Sequence, residues 1–316
     1  MDLFEGIDAI LIKNASLPFI DENFFYFTGI DGMEEGIAVI MPDEVEIVAP
    51  LLEKREGILV YKSKKERDEI LKKLLKGKKV GINGKALVYE DYKHFKKMFD
   101  LVDISKRLEM KRAIKSNEEI KKIRKAVKIT KDVMNEIELK EKSEKEVANE
   151  IKCMLARKNA KEAFDAIVAF GKNSSMPHHR PGRKKFVMPA LIDMGAKYAG
   201  YCADITRMFM KKNKRYEVIE EALYLAIDSM QVGTKASELY KKVEKFLGKH
   251  GIKMIHALGH SIGIKVHDGL AINKKADFEF EDRMVFAIEP AGYFKKYGIR
   301  IEEDVLIKNG KARIIK

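Results

Sequence analysis

Two stretches of this chain place carboxylates where strands should be apolar. The first is ALIDMGAKYAGYCADITRMF, residues 190–209. Asp193 and Asp204 sit inside two strand-like runs separated by a glycine-containing turn. With residues 198 and 199 at the turn centre, the two would be cross-strand neighbours on one face. Asp is a poor strand former, and like charges directly opposite repel. Such a hairpin calls for a cation between the acids, unless one or both are surface acids, because buried charges are normally paired or metal-bound.

The second stretch, MVFAIEPAGYFKKYGIRIEEDVLI (284–307), repeats the design. Glu289 ends one apolar run and Glu302 lies inside the next. Alternation puts Arg300, Glu302 and Asp304 on one face, with Ile299, Ile301 and Glu303 on the other. It does not choose between Glu302 and Glu303. Between the two stretches lies HALGHSIGIKVHDG (256–269), with His256, His260 and His267. Its glycines favour strand or loop over a helical His-x3-His pair, and no HExxH motif occurs. Upstream, GKNSSMPHHRPGR (171–183) reads as a loop whose His178 and His179 border a cleft or form a surface pair.

Four carboxylates and one imidazole make a hard site carrying about −4 of formal charge. Two divalent ions and a bridging hydroxide balance that better than one ion. Such a donor set favours Mn, Fe or Co, with Zn also admissible. A two-metal site generates a nucleophile at neutral pH and clamps a tetrahedral oxyanion, which is amide or ester hydrolysis chemistry.

These groups need a scaffold. The first ~110 residues read as a small α/β domain. Residues 9–14, 36–41, 45–50 and 58–63 are strand-like, and 64–75 is an amphipathic helix with Ile70, Leu71, Leu74 and Leu75 as its stripe. Ser116-Asn-Glu-Glu119 is a capping box that opens a helix, so a domain boundary is expected just before it. Further helices are expected over 143–158, 216–230 and 236–248, with strands in between. The domains are then 1–112 and 113–316.

The chain has 316 residues, enough for two domains, and 46% are apolar, which excludes a mostly disordered chain. No run of 18 apolar residues suggests a membrane span. The opening MDLFEGIDAI carries acids where an export signal carries bases. Cys153 and Cys202 make no disulfide framework, which fits a reducing cytoplasm. The net charge of +13 is spread in mixed-sign helices, so a solvated surface is favoured over a nucleic-acid patch.

The chain resembles the pita-bread-fold dinuclear metallopeptidases, in the Xaa-Pro dipeptidase (prolidase) and aminopeptidase P branch. The resemblance rests on KSNEEI, FDAIVAFGKNSSMPH, LIDMGAKYAGYCADITR, HALGHSIGIKVHDG, IEPAGY and GIRIEEDVLI, in that order. It extends more weakly to NFFYFTGI (23–30). It implies an α+β architecture: an amino-terminal creatinase/prolidase-like α/β domain, then the catalytic domain. It implies two divalent ions held by Asp193, Asp204, His260, Glu289 and Glu302, the RIE run selecting Glu302. Glu289 would also act as general base for the metal-bridging water. His178 and His267 would contact substrate, and Arg300 would lie near it. A short peptide is the implied substrate and a homodimer the implied assembly, with no membrane or nucleic-acid partner. Ala257, Ser261, Ala291 and Asp268-Gly269 depart from the usual pattern, and by the resemblance they would touch the pocket wall rather than a ligand.

Two other readings compete. A methionine-type aminopeptidase of the same fold is disfavoured by the amino-terminal domain. A non-catalytic binding protein is disfavoured because all five ligand positions are filled.

Overall fold

The computed structural model describes residues 2–316, and Met1, the first residue of the MDLFEGIDAI segment, lies outside them. The chain divides into two compact units between Lys111 and Arg112.

The first unit is built on β1 (Ala9–Lys13), α1 (Glu22–Thr28), β2 (Ile37–Ile40), β3 (Val45–Pro50), β4 (Leu59–Tyr61), α2 (Lys64–Leu74), β5 (Lys79–Ile82), α3 (Tyr89–Lys96) and β6 (Asp100–Asp103). Helix α4 (Ser105–Ala113) follows. The six strands form one mixed sheet in the order β4-β3-β2-β1-β5-β6. Every residue of β1 is buried, because both sheet faces are covered. Ala9 and Leu11 face a cluster with Leu71, Leu75 and Phe95, while Ile10 and Ile12 face Phe24 and Leu108.

The second unit opens with α5 (Asn117–Glu136) and α6 (Glu144–Arg157). Both start at full capping boxes, Ser116 with Glu119 and Ser143 with Glu146. Strands β7 (Lys161–Glu162), β8 (Ile167–Phe170), β9 (Ala190–Met194), β10 (Ala196–Tyr198), β11 (Tyr201–Cys202) and β12 (Ile205–Phe209) come next. Helices α7 (Lys214–Ser229) and α8 (Ala236–Lys249) separate them from β13 (Gly259–Ser261), β14 (Ala271–Ile272), β15 (Val285–Ile288), β16 (Ala291–Tyr293), β17 (Gly298–Arg300), β18 (Glu303–Lys308) and β19 (Lys311–Ile314). The sheet orders are β12-β9-β8, β11-β10-β7, β14-β13-β15-β18-β19 and β16-β17. Their strand pairs are antiparallel.

One register differs from the sequence expectation. The β10–β11 turn is centred on Ala199 and Gly200, both with positive φ, and Tyr198 pairs with Tyr201. That is the φ pattern a two-residue hairpin turn requires. Asp193 therefore pairs with Thr206, and the same register sets Asp204 opposite Gly195. Gly195 is required there, because a Cβ would stand 1.8 Å from the Ala203 carbonyl oxygen.

Candidate metal centre

Both hairpins break their strand pairing at acidic residues, the first at Asp204 and the second at Glu289 and Glu302. Asp204 lies in the gap between β11 and β12. Its backbone N–H donates to Asp304 Oδ2 at 2.9 Å, which ties the first hairpin to the second. Ile288 pairs with Glu303 and Ala291 with Arg300, so the same register sets Glu289 opposite Glu302 in a second gap. His260, in β13, pairs with Ala287 of β15.

These elements converge on one buried cluster. Asp193, Asp204, His260 and Glu302 are buried, and Glu289 is partly buried. One ligating atom each from Asp204, His260 and Glu302 lies within 4.8 Å of the other two. His260 Nε2 stands 3.5 Å from Asp204 Oδ2 and 3.9 Å from Glu289 Oε1. Donor atoms about 2 Å from one ion stand at about such separations from each other. Asp193 Oδ1 and Asp204 Oδ1 are buried without a hydrogen-bond partner. Burial, then Glu302, Asp193, Asp304 and Glu289, hold the Asp204 carboxyl well above the usual carboxylate range. Burial, then Asp193 and Glu289, do the same for Glu302. Orphaned acid oxygens and mutual repulsion are what an acidic cation site shows without its cation, so the residues fit divalent ions.

Arg300 is buried behind Asp193. Its Nη2 donates to Asp193 Oδ2 at 2.5 Å, its Nε to Thr206 Oγ1 at 3.1 Å, and its Nη1 to Tyr293 Oη and the Pro177 carbonyl. All three guanidinium nitrogens thus donate within the protein, which makes Arg300 an orienting group for Asp193. Thr206 Oγ1 in turn donates to Glu302 Oε2 at 2.6 Å. Glu303 points elsewhere, to Arg207 and to Lys131 at 3.0 Å.

The cluster opens into a cavity of about 880 Å³, lined in part by His178, His256, His260 and His267. The His260 and His267 rings are 4.0 Å apart. Burial, with His260 and His178 nearby, lowers His267 to about 4, so it is neutral at pH 7. His256 bonds Tyr293 Oη at 3.1 Å, and burial pushes the Tyr293 phenol up to about 12. Glu144 fixes the loop carrying His178. It accepts from Phe170 N (2.8 Å), Asn173 Nδ2 (2.7 Å) and Gly182 N (3.0 Å), and it bonds His179 Nε2 at 2.9 Å. Burial alone would raise Glu144; these bonds outweigh it and hold the carboxyl below its usual range.

The structure brings together Asp193, Asp204, His260, Glu289, Glu302, Arg300, His178 and His267 around this cavity. Sequence reasoning did not find Thr206, Tyr293 or Glu144. Thr206 could be read from alternation, two residues after Asp204. Glu144 carries no signal beyond that of an ordinary first-turn acid.

A buried carboxylate–imidazole cluster lining a cavity fits a metal-dependent enzyme. The chain belongs to metallopeptidase family M24, whose profile matches residues 121–309; the Creatinase/Prolidase N-terminal domain matches residues 5–114. It is 33% identical to the Xaa-Pro dipeptidase of Pyrococcus furiosus over 93% of this chain and 91% of that protein. Among solved structures, the prolidase from Pyrococcus furiosus superposes with a TM-score of 0.85 at 31% identity, covering 98% of this chain and 96% of the other. The X-Pro aminopeptidase from Thermotoga maritima gives 0.86 at 27% identity, covering 98% and 95%. The α+β architecture expected from the motifs holds. No helix among the described residues is long and apolar enough to cross a membrane.

Proposed function

We propose that this metallopeptidase hydrolyses the Xaa-Pro bond of dipeptides or short peptides. The observation that carries the reading is the buried Asp204–His260–Glu302 cluster with its orphaned Asp oxygens, in a chain similar along its length to an Xaa-Pro dipeptidase. Asp193, Asp204, His260, Glu289 and Glu302 would hold two divalent ions, Mn, Co or Fe before Zn. Such ions supply Lewis acidity and a water that is nucleophilic at neutral pH.

The protein's own groups do the rest. Glu289, less buried than the other acids, takes the proton of the attacking water. Neutral His267 donates a hydrogen bond to the scissile carbonyl or to the oxyanion without adding charge to a crowded site. His178, exposed at the cleft, delivers a proton toward the leaving nitrogen. The cavity has room for more than a dipeptide, which supports short peptides as well. A homodimer and a cytoplasmic location belong to the same proposal; the resemblance supports the first and the two free cysteines the second.

The test is hydrolysis of Ala-Pro, Ala-Pro-Ala and Met-Ala-Ser by chelator-stripped protein, with and without Mn²⁺ or Co²⁺. Metal-dependent cleavage of Ala-Pro alone indicates a dipeptidase. Cleavage of Ala-Pro-Ala indicates an aminopeptidase. Release of Met, without cleavage before proline, would overturn the Xaa-Pro reading.

A further inference from the structure

A second buried ionic cluster lies outside the ligand set. Arg112 Nε donates to Asp268 Oδ1 at 2.9 Å, and Lys115 Nζ lies 3.4 Å from Asp268 Oδ2. Arg112, Lys115 and Asp268 are 6%, 1% and 1% exposed. Charges removed from water to this degree are costly to assemble, and the cluster performs no step of the chemistry above. What it touches gives it a use.

Asp268 directly follows His267. Its backbone N–H donates to the Ser261 carbonyl, and Ser261 and Leu270 bond each other in both directions across the base of the same loop. The opposite arm is pressed against the carboxylate. A Cβ on Gly263 would stand 2.2 Å from Asp268 Oδ2 and 3.0 Å from Lys115 Nζ, so any larger residue there would push the carboxylate aside. The cations are anchored as well. Lys115 N donates to the Arg283 carbonyl, and Ile114 bridges Met284 at the start of the hairpin that carries Glu289 and Glu302. The cluster therefore fastens the His267 loop to the base of the second acidic hairpin.

We propose that Arg112 and Lys115, through Asp268, hold His267 in place over the carboxylate cluster and are positioning residues for the reaction. The assignment rests on the peptidase reading, because the proposed role of His267 does. A ring displaced by about 1 Å loses up to roughly a hundredfold in rate.

The experiment is a double-mutant cycle of Asp268→Asn and His267→Ala, assayed on Ala-Pro with Mn²⁺, with backbone amide exchange measured over 264–270. Asp268→Asn is expected to lower kcat by about 10–100-fold with little change in KM. It should add no loss in the His267→Ala background, and exchange should quicken over 264–270 alone. A wild-type kcat in Asp268→Asn, or the same fold-loss in both backgrounds, would overturn the proposal. If Asp268→Asn does not fold, Asp268→Glu keeps the charge for Arg112 and moves the carboxylate by one methylene, and the same cycle is read. If the wild-type protein cleaves no Xaa-Pro bond, the peptidase reading fails by itself. Unchanged exchange over 264–270 then overturns the positioning claim independently.

Discussion

The two acidic hairpins reach the same centre by different registers. In the second, Glu289 and Glu302 lie directly opposite each other, and both strands break there. In the first, Asp193 remains inside a strand opposite Thr206, and only Asp204 lies in a gap. The offset has a chemical consequence. Directly opposed acids meet across the pair, whereas the offset frees the position opposite Asp193 for a hydroxyl. Thr206 then links Glu302 and Arg300, and Arg300 orients Asp193. The first hairpin thus supplies orientation as well as acids, and the second supplies acids and the partly open Glu289.

The comparison is broken most directly at Asp204, the acid of the offset hairpin that faces His260. Asp204→Asn removes the charge while keeping the shape. Metal binding should be lost along with activity, as read by metal content after dialysis and by the rise in Tm on adding Mn²⁺, which wild-type protein should show and the variant should not. Two ions retained per chain would overturn the ligand assignment. The pH dependence has a definite sign. Asp204 and Glu302 hold their protons to higher pH than ordinary carboxylates, and ions compete with those protons. Apparent metal affinity should therefore keep rising with pH beyond the range in which ordinary carboxylates ionise.

Next in size is the backbone that sets the offset. Gly195→Ala drives a Cβ into the Ala203 carbonyl, which no rotamer relieves. A loss of about 3 kcal/mol or more in unfolding free energy is expected, in the range of severe single substitutions. An unchanged denaturation midpoint would mean that the close approach at Gly195 does not hold the register.

The hydroxyl bridge ranks third. Thr206→Val leaves Glu302 Oε2 and Arg300 Nε without their shared partner. Bonds to charged groups are worth about 1.5–3 kcal/mol, so kcat/KM should drop by about tenfold or more with the fold retained. Wild-type kinetics would show that the offset has no chemical consequence.

These differences also mark what the sequence could tell. The helix at 117 and its capping box were legible because capping is local: Ser116 and Glu119 are three residues apart and bond each other. The acidic cluster was legible because acids inside apolar runs are anomalous at any register. The register of the first hairpin was misread by placing residues 198 and 199 at the turn centre. An Ala-Gly pair with glycine second fits the positive-φ turn better, and centring on 199 and 200 changes the residue opposite Asp193 from Asp204 to Thr206. In the first unit, β5 and β6 were not assigned. Their four-residue runs, KVGI and DLVD, are too short to show a period.

The smallest expected effect concerns the neighbour that alternation could not exclude. Glu302 and Glu303 are adjacent acids in the second hairpin, and the break in the strand before Glu303 separates their surroundings. Glu302 is buried against Thr206, within reach of His260 and Asp204. Glu303 pairs with Lys131 and Arg207 on the far side. Glu303→Gln removes a charge shared by two cations, a loss of about 1 kcal/mol for a partly exposed pair. Metal content, and kcat per bound ion, should stay at wild-type values. If Glu303→Gln instead strips the metal while Glu302→Gln retains it, the roles are exchanged. The second hairpin would then bind through an offset acid as the first does, and the contrast in register would lose its chemical meaning.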